Sequence, residues 1–214
     1  MDIARVLIIL KRENQKYREP AVSVVARSRS PFKVLVSCLL SLRTKDAVTS
    51  QASERLFRLA ESPQEMASLE VPTIEKAIYP VGFYKTKARR IKEISRVLLE
   101  KYNGKVPDTL EELLKLKGVG RKTANLVITL GYGKPGICVD THVHRVINRV
   151  GYVRTKNPTE TEFTLREILP RRYWIPLNDL LVTHGQNICT PISPRCSICP
   201  VERYCQKVGI TRHR

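Results

Sequence analysis

Acidic residues and long apolar runs are both in short supply in this chain. Only 20 Asp and Glu stand against 38 Lys and Arg, a formal net charge of +18 with a pI near 10. Such an excess points to a polyanionic partner, either nucleic acid or an anionic membrane surface. The membrane is the weaker choice. The longest mainly apolar stretches, residues 6–10 and 34–42, fall far short of the roughly 20 residues that span a bilayer. No basic segment precedes the first of them, which stops at Lys11, so no secretory leader is expected. The protein is expected inside the cell, in the cytoplasm or nucleoid of a prokaryote. Low-complexity tracts and long repeats are absent too. What remains is 214 residues, 42% of them hydrophobic, enough for a core without disulfide staples.

Apolar residues recur with a helical period almost throughout. Phe32, Leu35, Cys38, Leu39 and Leu42 follow Pro31, a first-turn proline, at steps of three and four. Ser62-Pro63-Gln64-Glu65 has the form of a capping box with proline at the first helical position. Ala88, Ile91, Ser95 and Leu98 mark a further helix that Asn103-Gly104 would stop. Asp108 with Glu111 is expected to open the next, and Thr159 with Glu162 another. Strand candidates are short, at residues 21–25 and 137–139. The expected class is all-α. Gly131, Gly133, Pro135 and Gly136 interrupt two helical patterns, so a boundary is expected there.

Four of the six cysteines, Cys189, Cys196, Cys199 and Cys205, form a C-x6-C-x2-C-x5-C cluster. In a reducing compartment clustered cysteines are metal ligands rather than disulfides. On donor chemistry alone they suit either tetrahedral zinc or an iron–sulfur cluster. Zinc sites more often use two C-x2-C pairs, and only Cys196 and Cys199 are so paired. Cys38 and Cys138 sit in apolar surroundings and are expected in the core.

Residues 116–125 read as a helix end, a turn through Gly118 and Gly120, and a second helix from about Arg121. The glycines allow a tight turn, and the helix start adds N–H donors and a positive end suited to a phosphate. A glycine pair of this kind is also an ordinary helix connection. Likewise Lys122 alone reads as a surface charge, Asp140 as a helix cap, and Phe83 as core.

The string Gly118-Val119-Gly120-Arg121-Lys122-Thr123-Ala124, followed by Val139-Asp140-Thr141-His142, resembles the helix-hairpin-helix DNA glycosylases, and within them the endonuclease III family. The cysteine spacing and the segment Gly82-Phe83-Tyr84 with Lys87-Ala88 share the resemblance, which runs from about Leu35 to Cys205. It implies two helical lobes with DNA bound in the cleft. One is a helical barrel over residues 24–134 ending with the hairpin. The other joins residues 1–23 to 135–214 and holds a [4Fe–4S] cluster on Cys189, Cys196, Cys199 and Cys205. Lys122 would be the catalytic amine and Asp140 the assisting carboxylate, facing each other across that cleft. Gly118, Val119, Gly120 and Arg121 would bind DNA phosphate, and Phe83 would be a wedge entering the duplex.

Two departures from the family pattern stand out. Arg43 occupies a position where many members have Gln directed at the orphaned base, and Lys117 replaces the usual Pro before the hairpin. Arg43 is still expected to bind DNA. His142 belongs to the motif in a supporting role; His144 and His184 are expected to be structural. The activity implied is a monomeric bifunctional glycosylase/AP lyase of base excision repair, acting on duplex DNA with a damaged pyrimidine or abasic site. Lysine at position 122 separates this from relatives with Ser or Tyr there, which release the base mainly by hydrolysis. The alternatives are a thymine or uracil mismatch glycosylase, and a noncatalytic DNA-binding module with a structural metal loop.

Overall fold

The computed structural model describes residues 2–214, in which α-helices alternate with short 3-10 and π segments and no strand occurs. The helices are α1 (Ile3–Glu13), α2 (Ala21–Ala26), α3 (Pro31–Ser41), α4 (Asp46–Phe57), α5 (Pro63–Ser68) and α6 (Val71–Ile78). They continue with α7 (Tyr84–Tyr102), α8 (Leu110–Lys115), α9 (Arg121–Leu126), α10 (Thr141–Val150), α11 (Pro158–Ile168) and α12 (Trp174–Asn187). The chain divides into two compact units, Ala21–Gly136 and a second that joins Met1–Pro20 to Ile137–Arg214.

The first unit is organised around α3. Ser30 caps this helix by accepting from the Lys33 N–H, and Pro31 fills the first turn. Phe32, Leu35, Cys38 and Leu39 are buried, and so are Val34, Val36 and Leu40 on the other faces. A helix apolar all round belongs at the centre of a unit, and α3 packs against α2, α4, α7 and α9. Each fully buried leucine of α3, such as Leu35 and Leu40, contributes about 2 kcal/mol of transfer free energy. The longest helix, α7, turns Ala88, Ile91, Ser95 and Leu98 inward and ends where Asn103 and Gly104 adopt left-handed backbone. Ser62 and Glu65 form the full reciprocal capping box of α5.

In the second unit α1, α10 and α12 surround Leu7, Leu10, Val143, Ile147, Leu177 and Leu181. Both Cys38 and Cys138 are buried, each in its own unit.

Several local expectations are corrected. Residues 21–25 form α2 rather than a strand, because the Asp46 carboxylate accepts from the Ala21 N–H at 3.0 Å and the helix packs on α3 and α4. Residues 137–139 lie outside regular structure, and their apolar character serves burial of Ile137, Cys138 and Val139. Thr109, not Asp108, caps α8 by accepting from Glu112 N–H, while Asp108 pairs with Lys134. Asn157, not Thr159, caps α11, with Pro158 in its first turn.

Candidate active site and metal centre

The hairpin joins α8 to α9. Leu116 and Val119 are buried and anchor it, with the Val119 N–H donating to the Leu116 carbonyl at 3.0 Å. Gly118 between them has φ +84°, a left-handed conformation that a side chain disfavours. Gly120 caps α9, and nothing lies within 4 Å of where its Cβ would stand. The first turn of α9 therefore opens onto space from which a phosphate can reach its N–H groups.

Lys122 lies in that first turn, half-buried, while Thr123, Ala124 and Asn125 beside it are buried. Its charge reaches the Cys38 thiol on α3: burial pushes Cys38 up to about 12, and Lys122 opposes that rise. The lysine is thus half-buried beside buried neighbours rather than on an open surface. Downstream, α9 widens into a π-helical turn over Val127–Gly131, a geometry common near functional sites.

In the second unit Asp140 caps α10. Its Oδ1 accepts from the backbone N–H groups of His142 at 2.8 Å and Val143 at 2.9 Å, which fixes the carboxylate in place. His142 meets Arg145 at 3.1 Å through Nδ1. His144 bonds Thr161 through Nδ1 at 2.7 Å.

All four clustered cysteines line one small pocket, together with Val150, His184 and Ile188. The segment around them contains only two short 3-10 turns, Cys196–Ile198 and Glu202–Tyr204. Among the described residues no three His, Cys, Asp or Glu side chains are arranged to hold a single metal ion. Four cysteine thiols lining one pocket are the donor set that an iron–sulfur cluster takes. Burial pushes the Cys196 and Cys205 thiols up and Cys199 up to about 11, with the neighbouring cysteines adding to the rise in each case. Bound iron is what would hold such sulfurs as thiolates. Their surroundings suit anionic sulfur: Arg149 approaches Cys189 Sγ at 3.6 Å and the Lys207 N–H donates to Cys205 Sγ at 3.3 Å.

His184 packs against the cysteine loop. It is buried, its Nε2 lies 3.8 Å from Cys199 Sγ, and burial draws its pKa down to about 4. No spacing in the sequence links residues 184 and 199; the contact is made by the fold.

Arg43 and Phe83 belong to the first unit, and both are exposed. Phe83 is 63% exposed, which removes the core reading. The Arg43 guanidinium lies 5.7 Å from the Phe83 ring centroid, within cation–π range.

Two family models match this chain. Residues 36–171 match the HhH-GPD superfamily of base excision DNA repair proteins, and residues 189–205 match the iron–sulfur binding domain of endonuclease III. Endonuclease III of Thermotoga maritima is 49% identical over 180 residues, 84% of each chain. The chain spans about half the length of the chloroplastic homologue 1 of Arabidopsis thaliana, at 42% identity. Among solved structures, a trapped covalent endonuclease III–DNA intermediate superimposes with a TM-score of 0.77 at 37% identity, covering 83% of this chain and 84% of that one. A thermostable thymine-DNA glycosylase superimposes at 0.80 with 25% identity, covering 93% and 92%. The chain belongs to the HhH-GPD superfamily of base excision DNA repair proteins, and within it to the endonuclease III family. It is an enzyme, a DNA glycosylase with the lyase chemistry typical of that family, and its cysteine loop is a [4Fe–4S] cluster domain.

The cluster cysteines allow a direct check. Cys199→Ser is expected to lower bound iron from about four atoms per chain to less than one and to remove the visible iron–sulfur absorption. Residues 189–205, lacking long helices of their own, should then become sensitive to limited proteolysis. Full iron content in the variant would remove Cys199 from the ligand set.

Proposed function

We propose that the protein excises oxidised pyrimidines from duplex DNA and cuts the strand at the abasic site left behind. Lys122 is the nucleophile and Asp140 the assisting carboxylate. The observation that carries this reading is a lysine at position 122, half-buried in the first turn behind the glycine hairpin. That position supplies an amine where the hairpin's N–H groups can hold the DNA backbone.

The chemistry then runs on this chain's own groups. The neutral Lys122 amine attacks C1′ of the deoxyribose, and the base departs with the electrons of the N-glycosidic bond, taking up a proton. Asp140, anionic and fixed by two N–H donors, stabilises positive charge developing on the sugar. Ring opening gives a Schiff base between Lys122 and C1′. The imine acidifies the C2′ proton; its removal expels the 3′ phosphate by β-elimination. Hydrolysis frees Lys122. The four cysteines hold the cluster, whose contribution when bound is to cross-link residues 189–205, since neither bond-breaking step requires electron transfer.

The base must leave the stack before this can happen. Phe83 and Arg43, exposed side by side, suit the space it vacates, as an apolar wedge and a hydrogen-bond donor. Gly118, Val119, Gly120 and Arg121 contact phosphate, and the enzyme works as a monomer on double-stranded DNA.

The test is a panel of duplexes with an oxidised pyrimidine, a G·T mismatch, a G·U mismatch or a preformed abasic site. Efficient scission at the first and last is expected, with little release from the mismatches. Preferred release of mismatched thymine without scission would replace this reading by that of a mismatch glycosylase, a function the thymine-DNA glycosylase fold also houses.

A further inference from the structure

Lys87 is a lysine that the mechanism does not use and that the fold hides. It is 9% exposed, one turn into α7, where its neighbours Lys85 and Arg89 are exposed. Its Nζ donates to the Leu40 carbonyl at 2.8 Å, the Leu42 carbonyl at 2.5 Å and Thr44 Oγ1 at 3.2 Å. Its own backbone N–H donates to the Phe83 carbonyl at 3.0 Å. One residue therefore ties the segment carrying Arg43 to the segment carrying Phe83.

The two segments are pressed together elsewhere too. Thr44 Oγ1 accepts from the Gly82 N–H at 3.2 Å. A Cβ on Gly82 would stand 2.6 Å from the Arg43 carbonyl oxygen, so only glycine allows the approach. Arg43 and Phe83 both have left-handed backbone, at φ +52° and +59°. Such positions persist only where their surroundings hold them. Both tips are exposed, so the hold comes from below, and the buried ammonium with its three oxygen acceptors lies there. Burial draws the Lys87 pKa down to about 8, which an ammonium tolerates only because those oxygens accept all three of its N–H bonds.

We propose that Lys87 is a positioning residue that holds Arg43 and Phe83 as one rigid intruding pair, so that both enter the duplex together. The proposal rests on the reading of those two side chains as DNA-intruding groups. A lysine that merely caps the carbonyls at the end of α3 would stabilise the fold and leave the tips independent of it.

The experiment measures single-turnover base excision from an oxidised-pyrimidine duplex by wild type, Lys87→Met, Phe83→Ala and the double variant. Cutting of an abasic site in a single-stranded oligonucleotide, which has no duplex to enter, is measured alongside. Misplacing intruding groups by about 1 Å can cost up to a hundredfold. Lys87→Met is therefore expected to slow duplex excision by about tenfold or more, with single-strand cutting within about twofold of wild type. The double variant should lose little beyond the larger single loss, because the two side chains act as a unit. Equal losses on both substrates, multiplying losses in the double variant, or an unchanged Lys87→Met would each overturn the proposal. If Lys87→Met does not fold, Lys87→Gln, which keeps one donor group, is held to the same outcomes with a smaller duplex loss. Wild-type duplex excision by Phe83→Ala would show instead that the wedge reading itself is wrong, and the proposal falls with it.

Discussion

Lys122→Ala is expected to lower strand scission at an oxidised pyrimidine by at least roughly 10³-fold, as removal of a nucleophile does. Borohydride should trap a covalent adduct with wild type and none with the variant. The substitution removes one positive charge from a chain of net +18, so the salt slope of DNA binding should fall by about one at most. The fold should tolerate the change, since Lys122 is only half-buried and truncation there opens no large core cavity. Activity and binding are thereby separated in one variant. A noncatalytic DNA-binding module would have no scission to lose. An adduct in both proteins would move the nucleophile to another amine. Base release by wild type without any adduct would mark a monofunctional glycosylase.

The second large effect is expected at Asp140, a helix cap that is also the proposed assisting carboxylate. Its Oδ1 caps α10 through two N–H bonds, and its charge is proposed to assist base departure. Asp140→Asn separates them, because asparagine caps a helix about as well as aspartate but carries no charge. Excision should fall by about a hundredfold or more, the scale of losing one preorganised electrostatic stabiliser, while thermal stability stays within about 0.5 kcal/mol. Asp140→Ala should lose the same activity and a further roughly 1 kcal/mol of stability. Parallel loss of stability and activity in Asp140→Asn would reduce the residue to a cap. Activity is read by single-turnover excision and stability by thermal melting of the same preparations.

Helix caps were legible where a short polar side chain and a proline stood together, as at Ser30-Pro31 and Ser62-Pro63. They were misplaced by a residue or two where several candidates adjoin, as with Asp108 beside Thr109, because the carboxylate was drawn off by Lys134. The run Ala21-Val22-Ser23-Val24-Val25 looks like a strand on local preference; a carboxylate 25 residues away and packing on α3 make it a helix. Lys122, Asp140 and the cysteines stand out in the sequence because each belongs to a short string or a tight cluster within one stretch of chain. Lys87 and His184 do not. One looked like another solvated charge on a basic helix, the other like an ordinary core histidine. Their partners, Leu40 and Cys199, lie 47 and 15 residues away and meet them only in three dimensions.

Arg43 stands at a left-handed corner of the backbone. The corner leaves the helical path for one residue between Leu42 and Thr44, whose backbone and hydroxyl groups do the anchoring. The Arg43 side chain is exposed and supports none of the core. A different side chain can therefore be exchanged into that corner without renegotiating the fold beneath it. On the proposed reading of Arg43 as a DNA-intruding group, the side chain presented there is open to change while the backbone corner beneath it stays fixed.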